Sequence, residues 1–384
     1  MAAHTENSLR EYFEWFHRNP ELSFEEYQTT EKIKEILEAA GVEILPLPLR
    51  TGLVAVIRGK RTGKTVALRG DIDALPIGEE SGVPYSSERE GRMHACGHDF
   101  HTTAALGAAI ALHKRREELE GTVKVVFQPG EESSRGALLI TESGVLKDVS
   151  VMFGIHGVVN VPVGTVAVSA GPVTAAVDRF QIVLQGKGSH GAEPQKGSDS
   201  IVAAAQLVTA LQTVVSRNLS PLSPAVVSVT RIQGGNTWNV LPASVELEGT
   251  VRTLAQEDRK RIAQRMQDLT QNLCSAFDVA ADFQWIEGPP SAQNDFGWSK
   301  LAGQVALRQG LSAIPSQLYM GGEDFAYYQA LLPSVYIQIG IGDSAPLHHP
   351  AFRVDPGVLE PTAKYLVALA ESALLRIKNS KITE

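Results

Sequence analysis

The chain has 384 residues, more than one hydrophobic core usually organises, so two domains are expected. Hydrophobic residues at 43% and charged residues at 20% exclude a disordered or fibrous chain. With 35 Lys+Arg against 43 Asp+Glu the net charge is −8, and the absence of a long basic run argues against nucleic acid or an anionic membrane surface as a partner. The two cysteines, Cys96 and Cys274, exclude a disulfide scaffold and point to a reducing, cytoplasmic compartment. Met1 to Arg18 carries Glu6, Arg10, Glu11 and Glu14 where a signal peptide would be apolar. No run approaches ~18 uninterrupted apolar residues, so no membrane span is expected.

Ser8 to Arg18 reads as a helix stopped at Asn19-Pro20. Ser23 followed by Glu26 reads as a capping box opening a second helix, with Ile33, Ile36, Leu37 and Ala40 as its stripe and Gly41 as its end. Strands are predicted over Leu53–Ile57 and Thr65–Leu68, a helix over His101–Glu118, a strand over Val123–Phe127, a short helix near Leu138–Ser143 and a strand over Val151–Ile155. From about Asp178 the order becomes strand, helix (Ser200–Val215), strands Val226–Ile232 and Val245–Val251, helix Gln256–Phe277 and strand Val279–Trp285. That is a ferredoxin-like β-α-β-β-α-β unit. Gly288-Pro289-Pro290 then reads as a boundary, before strand Ser334–Ile339 and helix Val358–Ile377. The expected fold class is α/β: a mixed-sheet catalytic domain, residues 1–177 and 288–384, with helices on both faces. A smaller α+β lid or dimerisation domain, residues 178–287, interrupts it.

In such sheets ligands bind beyond the carboxyl ends of the strands. Polar residues gather at those ends: Arg69-Gly-Asp71-Ile-Asp73, Gln128-Pro-Gly-Glu131-Glu132 and His156. The densest cluster is Met93-His94-Ala95-Cys96-Gly97-His98-Asp99-Phe100-His101. Thiolate and imidazole are ligands of zinc, and carboxylate suits zinc, manganese and cobalt. Gly97, between loop and helix, lets Cys96 and His98 converge. Taken alone, the cluster equally fits capping and surface histidines at a helix start. Adjacent Glu131 and Glu132 project differently, so one can bind metal while the other handles a proton.

These residues belong to an ordered series: His17-Arg-Asn-Pro-Glu21-Leu, Gly70-Asp-Ile-Asp-Ala-Leu-Pro76, His94-Ala-Cys-Gly-His-Asp99, Phe127-Gln-Pro-Gly-Glu-Glu132, Gly154-Ile-His156, Gly186-Lys-Gly-Ser-His190, Asn239-Val-Leu-Pro242, Gly321-Gly-Glu-Asp324 and Leu347-His348-His349-Pro350. The series resembles the aminoacylase/carboxypeptidase-G superfamily of two-metal peptidases. Within it, the resemblance is to the amidohydrolase branch of hippurate hydrolases, N-acyl-amino-acid deacylases and auxin-conjugate hydrolases. The resemblance implies Cys96, His98, Glu132, His156 and His348 as ligands of two divalent ions, with Cys96 bridging as a thiolate. Zinc or manganese is implied first, then cobalt or nickel. It also implies Glu131 as general base, Asp73 as the carboxylate orienting a metal-bound imidazole, and His190 as an oxyanion stabiliser that can come from a partner subunit. Asn239 and Arg252 would hold the substrate's carboxylate. Gly322, in a loop opening a helix, would offer backbone N–H groups to the substrate. His348 is chosen over His349 by motif alignment. Where the wider superfamily has His-x-Asp, this chain has Asp71-Ile-Asp73, and the Cys96–His98 pair takes up the missing ligand. Gly130 replaces the usual Ala, and Ser189-His190-Gly191 a Gly-His-Ala run.

The implied activity is metal-dependent hydrolysis of N-acyl-amino acids (acetyl, benzoyl or similar) to a carboxylic acid and an amino acid. The expected partners are a small-molecule substrate and a second copy of the chain through the inserted domain, as a homodimer or higher homo-oligomer. The alternatives are a dipeptidase or carboxypeptidase with the same centre, a thiol amidase with Cys96 as nucleophile, and a non-catalytic binding protein.

Overall fold

The structure, a computed structural model, describes residues 2–380. In chain order it has α1 (Ala2–Arg18), α2 (Tyr27–Ala39), β1 (Glu43–Ile44), β2 (Leu53–Arg58), β3 (Arg61–Asp71), α3 (His98–Lys114), β4 (Glu120–Gln128), α4 (Gly136–Glu142), β5 (Val149–Val158) and β6 (Thr165–Ala167). There follow β7 (Ala176–Gln185), α5 (Ser200–Asn218), β8 (Ala225–Gly234), β9 (Ser244–Thr253), α6 (Gln256–Ser275) and β10 (Ala280–Ile286). The chain closes with α7 (Phe296–Arg308), β11 (Ser312–Ile314), α8 (Ala326–Gln329), β12 (Ser334–Gly340) and α9 (Leu359–Ser380). Two-residue ribbons and single 3₁₀ turns link these elements.

Two compact units divide the chain: Met1–Val173 with Gln293–Gln317 and Asp324–Glu384, and Thr174–Ala292 with Leu318–Glu323. Leu318–Glu323, which lies after the Gly288-Pro289-Pro290 boundary in sequence, therefore groups with the second unit, and Gly322 with it.

The first unit is built on an eight-stranded mixed sheet in the order β1-β2-β4-β3-β5-β12-β6-β11. Strands β4, β3, β5 and β12 run parallel side by side, with Asp71 opposite Gln128 and Gln338 opposite His156. Their apolar residues alternate between two faces. Leu53, Ala55, Ile57, Val66 and Leu68 pack with α1, α2, α3, α7 and α9, while Val54, Ala67, Val126 and Met152 pack with α4 and α8. Every side chain of α3 from His98 to Ala109 is buried, its polar first turns as well as the apolar run from Ala104 that packs in the core.

The second unit has a four-stranded antiparallel sheet in the order β8-β9-β7-β10, covered on one face by α5 and α6. This is the β-α-β-β-α-β unit of the sequence reading. Along β9, Val245, Leu247 and Val251 are buried while Glu246, Glu248, Thr250 and Arg252 are half-buried. Helix α5, despite its polar interruptions, is long and apolar enough by length and composition to cross a membrane. Its stripe of Ala203, Ala204, Leu207, Leu211 and Val214 is nevertheless buried in this unit's core.

Several elements differ from expectation. α1 begins before Ser8, and α3 begins at His98 rather than His101. Strand β5 continues through His156, so that residue lies within the strand and not beyond it. The predicted capping box does not form. α2 starts at Tyr27, and Glu26 is its N-cap without a side-chain capping bond.

Candidate metal centre

Because β4, β3 and β5 are parallel neighbours, their carboxyl ends open on one edge, and the chemistry-bearing residues collect there. Gly97, with φ +85°, turns the chain into α3, so that Cys96 and His98 reach the same space. Cys96 Sγ lies 3.4 Å from His156 Nε2. His348 Nε2 lies 3.5 Å from Glu132 Oε1, and His98 Nε2 lies 3.9 Å from Glu132 Oε1 and 3.9 Å from Glu131 Oε2. Cys96, His98 and His156 form one close group of donor atoms, and Cys96, Glu132 and His348 form another. Cys96 belongs to both, the position a bridging thiolate needs. His348, not His349, faces Glu132. Its backbone, at φ +63°, is held by its N–H donating to Ala95 O at 2.8 Å.

The Nδ1 atoms of His98 and His156 are each held by a backbone carbonyl. His98 Nδ1–H donates to the Asp73 carbonyl (2.9 Å) and lies 3.2 Å from Asp73 Oδ1, so in the neutral form of the ring the lone pair falls on Nε2. His156 Nδ1–H donates to Gly157 O at 2.8 Å, which frees its Nε2 toward Cys96. Asp73 Oδ2 accepts from Ser23 Oγ at 2.7 Å and from the Glu132 N–H at 3.0 Å. One carboxylate thus orients an imidazole and anchors the turn bearing both glutamates.

The electrostatics are those of a crowded buried site. Burial works against charge on His98, but Asp71, Asp73 and Glu132 outweigh it and push its pKa up to about 10. Burial together with His101 and His98 holds His156 well below the ordinary imidazole range. Burial, with the Asp73 and Asp71 charges, raises Glu132 to about 7. His98 Nε2 and Glu132 Oε1 are both buried without a hydrogen-bond partner. Leaving such groups unsatisfied costs about 1–3 kcal/mol each. A thiol, imidazoles and carboxylates converging on two unsatisfied donor atoms fit divalent cations of the zinc class.

Asp71, at the position of the superfamily's missing histidine, is otherwise engaged. It is ion-paired with Arg69, and its Oδ1 accepts from His101 Nδ1 at 2.6 Å. His101 Nε2 in turn accepts from the Gly157 N–H at 2.8 Å. Sequence reasoning missed this layer. It allowed surface roles for the spare histidines, yet His94 and His101 are 2% and 0% exposed. The spacing of His98 and His101, three residues apart on one helix, was the available signal. Arg69, fully buried, also donates to Gln128 Oε1 (2.8 Å) and to Asp324 Oδ1 (3.1 Å). Asp324 therefore belongs to the core beneath the centre, where its carboxylate also accepts from the Ala137 N–H in the first turn of α4 at 2.9 Å. The helix after Gly321-Gly-Glu-Asp324 has only four residues. A Cβ at Gly322 would meet Val177 Cγ2 at 2.3 Å, which gives that glycine a packing reason.

His190, Asn239 and Arg252 lie in the second unit. His190 is exposed on a two-residue ribbon paired with Val240. Its Nδ1 accepts from the Ala192 N–H at 3.0 Å, which places the ring proton of the neutral form on Nε2 as a free donor. Asn239 O accepts from the Gly191 N–H at 2.8 Å. Arg252 donates to the Thr250 hydroxyl and to Val251 O.

Known proteins resemble this chain over most of its length. Residues 67–372 match the model of peptidase family M20/M25/M40. N-acetylcysteine deacetylase of Bacillus subtilis is 45% identical over 363 residues, covering 94% of this chain and 96% of that protein. N-acetyl-L-cysteine deacetylase of the same organism is 43% identical over 368 residues, covering 96% and 88%. The crystal structure of the Bacillus subtilis YXEP protein, described as a dinuclear metal-binding peptidase of the M20 family, superposes with a TM-score of 0.89. It shares 41% identity and covers 97% of this chain and 99% of that one. With its centre built from the same motif series that carries the resemblance, the chain belongs to peptidase family M20/M25/M40 and is a hydrolase of amide bonds.

Proposed function

We propose that this hydrolase cleaves N-acyl-amino acids with short acyl groups, releasing a carboxylic acid and a free amino acid. Two divalent cations would be held by Cys96, His98, Glu132, His156 and His348, with zinc or manganese first and cobalt or nickel as alternatives. The observation carrying this reading is the sharing of Cys96 between two donor groups beside Glu131. The deacetylase relatives and the dinuclear M20 structure support the substrate class and the metal count. When bound, such a pair polarises an amide carbonyl and lowers the pKa of water toward neutrality.

Glu131, buried at the turn and 3.9 Å from His98 Nε2, is the proton carrier in this scheme. Its carboxylate takes a proton from the attacking water as the new C–O bond forms. It returns that proton to the nitrogen as the C–N bond breaks, so the amino acid leaves as an amine. Asp73 keeps His98 oriented throughout. His190 Nε2–H is suited to donate to the tetrahedral oxyanion, a role commonly worth ~3–4 kcal/mol of barrier. Arg252 and Asn239 are suited to the substrate's free carboxylate.

Strand β8 is an edge of the second unit's sheet, with Val226 and Ile232 exposed, and the outer face of α5 presents Ile201 and Val202. An unpaired edge beside apolar side chains suits self-association, and a homodimer through this unit is part of the proposal. Cys96 and Cys274, neither of them in a disulfide, suit a reducing cytoplasmic setting.

The test is a hydrolysis screen of N-acyl amino acids on protein stripped by chelator and refilled with each metal in turn, with light scattering for the assembly state. Release of amino acid from N-acetyl substrates, lost on chelation and regained on refilling, is expected. Activity indifferent to chelation, or an acyl-thioester trapped on Cys96, would replace this reading with a thiol amidase.

A further inference from the structure

Glu26 is completely buried, yet it does not serve the helix it caps. An acidic N-cap ordinarily accepts from the first amides of its own helix. Here Glu26 Oε1 instead accepts from the Gly130 N–H at 2.8 Å, a residue 104 positions away. Gly130 directly precedes Glu131, and at φ +62° it makes the bend that presents that carboxylate. Phe24 lies against the same glycine: a Cβ there would meet Phe24 Cε1 at 2.4 Å. Phe24 itself is left-handed at φ +65°, a conformation that a bulky residue rarely adopts. Ser23, one residue earlier, donates to Asp73 Oδ2, the oxygen that also receives the Glu132 N–H. Three residues within one four-residue stretch, Ser23, Phe24 and Glu26, thus take hold of the Gly130–Glu132 turn through a hydrogen bond to its first amide, a ring against its bend and, through Asp73, a hydrogen bond to its last amide.

We infer that Glu26, backed by the Phe24 ring, is a positioning residue for Glu131: its hydrogen bond to the Gly130 N–H fixes where the base's carboxylate sits. This rests on Glu131 being the general base. The conformation at Phe24 and the forfeited cap at Glu26 share one cause, since both residues are committed to a turn far away in sequence. The requirement for glycine at 130, where alanine is usual in the resembled family, follows from the same contact. A methyl group there would collide with the ring.

The test compares Glu26→Ala, which removes the acceptor, with Glu26→Gln, whose amide oxygen can still accept. The protein is the full-length, cation-loaded chain. In Glu26→Ala, kcat should fall about 10²-fold, the cost of misplacing a catalytic group by about an ångström, with KM and bound-cation stoichiometry near wild type. Glu26→Gln should recover most of that loss. Independently of turnover, amide hydrogen exchange of a peptide spanning residues 129–136 should speed up in Glu26→Ala and stay near wild type in Glu26→Gln. If Glu26→Ala does not fold, Glu26→Asp takes its place, because its shorter side chain cannot reach Gly130. The inference is overturned if exchange and kcat are unchanged in Glu26→Ala. It is equally overturned if Glu26→Gln is no better than Glu26→Ala, or if cation content falls in step with kcat. Near-normal turnover in Glu131→Gln would instead defeat the general-base reading, and the exchange comparison would still decide whether Glu26 holds the turn.

Discussion

Asp73 and His98 are joined twice: His98 Nδ1 lies 2.9 Å from the Asp73 carbonyl and 3.2 Å from its carboxylate. The imidazole therefore cannot rotate without losing both contacts, and its Nε2 stays aimed at the site. Asp73→Ala should weaken cation binding by about 10–100-fold, read by titration with a competing chelator. Unchanged affinity would mean that packing alone orients His98.

Glu131→Gln keeps the size of the side chain but removes its basicity. Turnover should drop by about 10²–10⁴-fold, while metal analysis finds the same cation content as in wild type. Loss of metal together with activity would make Glu131 a ligand.

Cations binding the folded chain stabilise it by mass action, by about 4 kcal/mol when their free concentration is a thousandfold above Kd. On the proposed ligand set, the unsatisfied His98 Nε2 and Glu132 Oε1 would supply part of this gain. Chelation should lower the melting temperature, and zinc or manganese should restore it in a concentration-dependent way. A melting temperature indifferent to chelator would count against any cation at this site.

His17 lies between Asp99 Oδ2 at 2.6 Å and Glu79 Oε1 at 3.0 Å. Burial opposes its charge, but the two carboxylates push its pKa up to about 9. Because the folded value lies above the unfolded value of 6.5, this stabilisation is complete below pH 6.5 and is lost as pH rises through about 9. Denaturant unfolding should show stability declining across that window, by on the order of 3 kcal/mol at most. His17→Gln should flatten the decline; a wild-type slope in that variant would place its origin elsewhere.

Arg69 and Asp324 are fully buried partners, and Asp324 also accepts from Gln128 and from the Ala137 N–H at 2.9 Å. Asp324→Ala removes one of the two carboxylates paired with Arg69 and the acceptor of the Gln128 amide and the Ala137 N–H, and should cost about 1–3 kcal/mol in urea unfolding. A loss below ~1 kcal/mol would show that Arg69 finds other acceptors.

Much of the centre was legible in the chain because strand ends can be located from apolar alternation, and parallel neighbours must open on one edge. Asp71, Glu131, Glu132 and His156 were found in that way. The motif order supplied the choice of His348 over His349, and the structure places His348 against Glu132. Where reading by local rules failed, long-range contacts had displaced them. Ser23 and Glu26 have capping-box spacing, but their side chains are spent on Asp73 and Gly130. His101 reads as one more polar residue at a helix start, yet it is buried against Asp71 and Gly157.

The sequence by itself determined the donor types, their order, the alternation of strands and helices and the inserted β-α-β-β-α-β unit, because these depend on residue chemistry and short-range periodicity. Only the tertiary structure decided which nitrogen of each imidazole is free, that Asp71 is consumed by Arg69 and His101, and that a turn near residue 25 grips the one at residue 130. Those outcomes depend on which buried polar groups meet across the sheet edge. Each must find a partner there, and no local pattern records which one it is.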